Sequence, residues 1–193
     1  MPCFSGAVLT GGAGRRMGRD KALVEVGGKA LAVRVAQVLR DAGADEVFAV
    51  GGALDALGDL GLPAVPDDFP GEGPLGGVLT ALRHASSPLV AVLACDLLAA
   101  VPSSVRLVVA TLDTVPKLAC AIPMVQGRSE PLHGAWRRSS RPEIQAIFDR
   151  GERAMHRAIA GLDSAAVHGI DPAALADADT SAELAPTPPR AAF

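Results

Sequence analysis

A chain of 193 residues, 49% hydrophobic and 20% charged, can bury one well-formed core, is too short for two domains of ordinary size, and is not disordered throughout. Its net charge of −3 lacks the basic excess of a general nucleic-acid or anionic-membrane binder. No apolar run approaches the ~20 residues of a membrane span and no basic segment precedes an apolar one at the start, so a cytoplasmic protein with neither nucleic acid nor membrane as partner is expected.

The first apolar run, Gly6 to Leu9, reads as a buried strand that empties into a loop rich in glycine and arginine. Gly11, Gly12 and Gly14 bring backbone close to a ligand without a Cβ in the way, and Arg15, Arg16 and Lys21 set cations over it. Exposed amides and cations after a strand make a phosphate cradle. It is not a Walker loop, because three residues separate Gly18 from Lys21 and Ala22 follows. Nor is it the dinucleotide fingerprint, whose third glycine would fall on Met17.

Residues 22–26 predict a small strand turning at Gly27-Gly28, and 29–42 a helix with Leu31, Val35, Val38 and Leu39 on one face, stopped by Gly43. A strand over 46–50, a short helix over 54–60 and a brief strand over 63–65 follow. The 66–74 stretch is a loop by composition, and 75–85 a helix. Leu89 to Ala94 is a continuous apolar run, as in a strand covered on both faces, and it ends at Cys95-Asp96. Ser103 is placed as the cap of a helix reaching Asp113, and 118–123 reads as a strand. Gln126-Gly127-Arg128 turns the chain. Ser140 with Glu143 forms a capping box, a second helix spans 152–160, and 165–168 is a last strand. Thr180 and Glu183 form another capping box, so one domain occupies 1–185 and a frayed tail 186–193. Cys3, Cys95 and Cys120, odd in number and without a CxxC pair, read as reduced thiols.

Strands alternating with helices give an α/β fold, a mostly parallel sheet with helices on both sides. Ligands bind beyond the carboxyl ends of such strands, so the glycine loop, the 66–74 loop and Asp96 should share one edge. A carboxylate at a strand mouth is costly unless used, so Asp96 is either a magnesium ligand or the cap of the next helix. Asp67 and Asp68 are candidate ligand contacts or solvated loop residues. His84, His156 and His168 read as surface or packing residues.

The run from Leu9 to Ala22, LxGGxGxRMGxDKA in outline, resembles the signature loop of nucleotidyltransferases. With Arg16-Met17-Gly18-Arg19-Asp20-Lys21-Ala22 it is most similar to that of the molybdenum cofactor guanylyltransferases. The resemblance covers residues 5–185 and implies a three-layer α/β/α, Rossmann-like fold of the nucleotide-diphospho-sugar transferase type. It implies transfer of GMP from Mg-GTP to the terminal phosphate of molybdopterin or its molybdenum cofactor, with release of pyrophosphate. Carried over, Lys21, Arg15 and Asp96 are catalytic. The nucleotide is held by Leu9, Thr10, Gly11, Gly12, Gly14, Arg15, Lys21, Asp67, Gly73, Pro74, Leu75, Gly76 and Asp96. Mg2+ is the implied cofactor, bound by Asp96 with Asp179, or else Asp179 only caps the last helix. Arg128, Glu130, Pro131 and His133 form the acceptor side, His133 being either a contact or an ordinary strand residue. Transient contact with proteins that supply the cofactor or receive it is implied as well.

Four positions depart from the family pattern. Leu97-Leu98 follows Asp96, Glu130 replaces a glutamine, Asp177-x-Asp179 replaces Asn-x-Asn, and Gly51-Gly52 stands where an asparagine is common. They keep three other readings open: a cytidylyltransferase, a guanylyltransferase for another small phosphorylated acceptor, and a nucleotide-binding paralogue without turnover.

Overall fold

The computed structural model of the chain describes residues 2–11 and 20–175. β1 (Phe4–Leu9) has all six residues buried, as a strand covered on both faces requires. Where a strand was expected from residue 22, Lys21–Leu23 is a 3-10 turn, because the Asp20 carboxylate caps the Ala22 amide at 3.0 Å. The strand there is reduced to β2 (Glu25–Val26), paired antiparallel with β3 (Lys29–Ala30). α1 (Leu31–Ala42) buries Leu31, Val35 and Leu39 and closes at Gly43 with φ 97°. β4 (Glu46–Val50), α2 (Leu54–Asp59), β5 (Ala64–Val65), α3 (Pro74–His84) and β6 (Leu89–Ala94) lie within a residue or so of their sequence positions. α4 (Pro102–Thr114), β7 (Cys120–Val125), β8 (Arg128–Ser129) and β9 (His133–Arg137) follow. α5 (Arg141–Asp149), α6 (Met155–Ala160) and β10 (Ser164–Val167) complete the order.

Two expected helix caps do not form. α4 begins at Pro102, so Ser103 lies inside its first turn and no side chain caps it. Proline there brings a preset φ and no amide to satisfy. Ser140 ends a 3-10 turn with helical backbone angles (φ −80°, ψ −3°), and its side chain makes no cap bond, so the box with Glu143 stays open. α6 begins at Met155 rather than 152, because the Glu152 carboxylate folds back onto the Arg153 and Ala154 amides, both at 2.8 Å. The Thr180–Glu183 box and the 186–193 tail lie outside the described residues.

Among the described residues the main sheet has eight strands in the order β10-β7-β9-β6-β1-β4-β5, with β8 beside the end of β7. The pairs β1–β4, β1–β6, β4–β5 and β7–β10 are parallel. β9 runs antiparallel to both neighbours. The chain leaves β7 through the Gln126-Gly127 turn (φ 50° and 78°) and returns as β9 after too few residues for a crossover, so only antiparallel pairing is open to it. One core packs α1 and α4 on one face of the sheet. The other packs α3, α5 and α6 on the opposite face. Among the described residues no helix is long and apolar enough to cross a membrane.

From β1 the chain builds outward through β4 and β5, then returns to β6 on the other side of β1. The switch point therefore lies between β1 and β6, where a crevice opens beyond the strand ends.

Candidate active site

Lys21 follows β1 in sequence and Asp96 follows β6, so both belong to this crevice. Leu9 stands in register with Ala94, and the Cys95 amide donates to the Leu9 carbonyl at 3.2 Å. From these strand ends Lys21 Nζ reaches Asp96 Oδ2 at 2.8 Å, with side chains 31% and 20% exposed. A cation and a carboxylate 75 residues apart in sequence thus share one open rim. Asp96 does not cap α4, whose N-cap position is Val101. Among the described residues no three His, Cys, Asp or Glu gather into a metal cluster.

The start of the glycine loop is held by β4. The Thr10 and Gly11 amides both donate to the Val50 carbonyl (3.1 and 3.3 Å). The Thr10 hydroxyl lies 2.9 Å from the Val50 carbonyl and 2.8 Å from that of Gly51, to either of which it donates. Neither amide is directed at a ligand, and the Leu9 and Thr10 side chains are buried. These residues anchor the loop. Gly12, Gly14, Arg15 and Arg16 lie outside the described residues, as does Asp179.

Asp67 comes to the same rim through β5. A Cβ on Gly11 would lie 3.8 Å from Asp67 Oδ2, so that oxygen faces the first loop. Its Oδ1 accepts the Phe69 amide (3.0 Å) and the hydroxyl of the fully buried Thr80 (3.1 Å). Asp68 instead pairs with Arg83 on the outer side. Asp67 is therefore the one of the two that lines the crevice. Gly73, with φ 85°, caps α3, and Pro74 opens it. Leu75 and Gly76 are buried behind them, and a Cβ on Gly76 would sit 2.7 Å from Phe69 Cβ, so the glycine admits Phe69. Phe69 packs against Phe148 with the rings tilted by 56° and their centroids 4.7 Å apart, Arg153 covers the Phe148 ring at 3.6 Å, and Arg153 bonds Glu72 at 2.6 Å. α5 and the α5–α6 turn thereby hold the 66–73 loop.

The acceptor-side residues arrive through β9. Its antiparallel direction brings its first residues, not its last, to the carboxyl edge, and the Leu132 carbonyl accepts the Ala94 amide at 2.9 Å. Arg128 is exposed, and Glu130 and Pro131 are half-buried. His133 is 1% exposed, so of its two readings the structure supports the buried strand residue and withdraws the acceptor contact. Among the described residues neither ring nitrogen has a hydrogen-bond partner. Burial pushes its imidazole down to about 4. An open depression lined by Ile147, Arg150, Gly151, Glu152, Arg157 and Gly161 shares no residue with the Lys21–Asp96 rim, and its Glu152 is already bonded to Arg157 at 2.6 Å.

Sequence reasoning singled out neither Asp20 nor Thr80. An aspartate before a short turn is an N-cap signal. Nothing local announces that Asp20 Oδ2 also accepts the Ala53 amide at 3.0 Å, or that Thr80 organises a loop twelve residues before it.

A family model described as a MobA-like NTP transferase domain matches residues 6–166. A protein of Opitutus terrae named probable molybdenum cofactor guanylyltransferase is 36% identical over 167 residues, which is 82% of this chain and 79% of that one. Molybdopterin-guanine dinucleotide biosynthesis protein A of Archaeoglobus fulgidus superposes with a TM-score of 0.72 at 23% identity, over 93% of this chain and 94% of its own. The 2-C-methyl-D-erythritol 4-phosphate cytidylyltransferase of Thermus thermophilus gives 0.68 at 19% identity, over 92% and 94%. The last two likenesses establish the three-layer nucleotidyltransferase fold.

Proposed function

The chain belongs to the MobA-like NTP transferase family, and on that premise we propose that this nucleotidyltransferase moves GMP from Mg-GTP to the terminal phosphate of molybdopterin or its molybdenum cofactor. The observation that carries this reading is the Lys21–Asp96 pair, 2.8 Å apart at the switch point and 20–31% exposed. An acceptor phosphate oxygen attacks the α-phosphorus, and the bond from that phosphorus to the bridging oxygen breaks. The electron pair leaves with pyrophosphate. The nucleophile is already ionised near neutral pH, so no general base is required. Positioning and charge neutralisation carry the rate.

Lys21 supplies a cation to the phosphoryl oxygens, and Arg15 is assigned the same task. Asp67, whose Oδ2 lies toward Gly11, is assigned to the nucleoside together with the turn at Gly73-Pro74. Asp96 fits a magnesium ion: it is half-buried, Lys21 engages its Oδ2, and Mg2+ carried on a triphosphate keeps several waters and takes one or two carboxylates. Bound there, Mg2+ would neutralise triphosphate charge, with Asp179 as the second assigned carboxylate. Arg128, Glu130 and Pro131 are assigned to the acceptor.

Pyrophosphate release from GTP, CTP or ATP in the presence of molybdopterin tests the proposal. Release from GTP alone is expected. Release from CTP alone would establish the cytidylyl reading that Asp177-x-Asp179 suggests, and GTP binding without release from any nucleotide would leave a binding protein.

A further inference from the structure

Asp20 sits immediately before Lys21 with both carboxylate oxygens engaged. Oδ1 accepts the Ala22 amide and Oδ2 the Ala53 amide, each at 3.0 Å. The first bond closes the 3-10 turn that carries Lys21. The second ties that turn to the corner between β4 and α2, 33 residues away. The corner is shaped to receive it. Gly52 lies at φ 72°, and a Cβ there would meet Thr10 Oγ1 at 2.9 Å and Asp20 Oδ2 at 3.3 Å. Thr10 in turn is bound to the Val50 and Gly51 carbonyls. Asp20 follows in sequence the glycine- and arginine-rich run assigned to a polyanion, where a carboxylate would repel the ligand unless it did structural work. Two backbone donors on one carboxylate are such work.

From this geometry we infer that Asp20 is a positioning residue for transfer, a clasp that fixes the Lys21 backbone so that Nζ stays at Asp96. The inference rests on the proposed function for its kinetic consequence but not for the clasp itself. Asparagine cannot replace the carboxylate, because it sets an NH2 group against one of the two amides and keeps only one bond.

The experiment combines Asp20→Ala and Lys21→Ala in a double-mutant cycle, with Lys21→Arg as the second background where turnover of Lys21→Ala is too slow to measure. Asp20→Ala is expected to lower kcat by about tenfold or more with little change in KM for GTP, and to lose most of that effect once Lys21 is replaced. Asp20→Asn should fall between. Equal losses in both backgrounds would overturn the inference, since a merely structural residue damages both alike. Amide exchange supplies a readout independent of turnover. In Asp20→Ala the Ala22 and Ala53 amides should exchange faster while that of Val92, in β6, is unchanged, and unaltered exchange at Ala22 and Ala53 would also overturn it. A wild type that released no pyrophosphate would remove the proposed function and leave the exchange result to decide the clasp.

Discussion

Acid should destabilise this protein through His133, starting as the pH falls through about 6.5. The ring is buried at the start of β9, and among the described residues neither nitrogen has a partner. Burial holds its folded pKa at about 4, against an ordinary 6.5. Unfolded chains therefore bind a proton below pH 6.5 that the folded chain refuses, so stability is full above 6.5 and falls with pH until about 4. Linkage sets the total at about 3 kcal/mol, of which about 1.3 should be lost between pH 7.5 and 5.5 and about 2.5 by pH 4.5. Urea unfolding of wild type and His133→Leu at those three pH values checks the figure. Leucine has similar volume and removes two unsatisfied polar atoms that cost about 1–3 kcal/mol each, so the variant should match or exceed wild type at pH 7.5 and lead by more at pH 4.5. The hydrogen bonds that lower Glu46 and Glu152 act below pH 4.5 in both proteins and cancel in the difference. Parallel pH profiles for the two proteins would refute the reasoning.

Lys21→Ala should reduce pyrophosphate release by about 10²-fold or more while costing less than about 1 kcal/mol of stability, since the Asp96 pair is partly exposed; Asp96→Ala should abolish the magnesium-dependent rate, and undiminished activity would remove Asp96 from the site. Gly76→Ala forces a Cβ to 2.7 Å from Phe69 Cβ and should cost about 1–3 kcal/mol in urea unfolding, with weakened nucleotide binding as the 66–73 loop shifts. In a thiol-labelling assay under native conditions Cys3 should react alone, because Cys95 and Cys120 are buried with thiols pushed up to about 12, and labelling of all three should require denaturant.

Most elements could be read locally because hydrophobic spacing and glycine stops report directly which face a segment buries. The six-residue run of β6 and the helical spacing of α1 are such cases. The misread segments, 22–26 and the caps at Ser103 and Ser140, are places where a neighbour competes for the same backbone group. The Asp20 carboxylate takes the Ala22 amide, and Pro102 or a preceding 3-10 turn sets the helix start.

Residue types alone determined that a cation-rich glycine loop follows the first strand and that a carboxylate closes the apolar run Leu89 to Ala94, because those are properties of short stretches. Only the tertiary structure decided that Lys21 meets Asp96 at 2.8 Å, that Asp67 rather than Asp68 faces the loop, and that His133 is buried inside the core. The first depends on β1 lying beside β6, the second on β5 lying beside β4, and the third on β9 entering antiparallel between β6 and β7. Strand order is a choice among long-range pairings, made by the packing of two whole helix layers, and no window of neighbouring residues contains it.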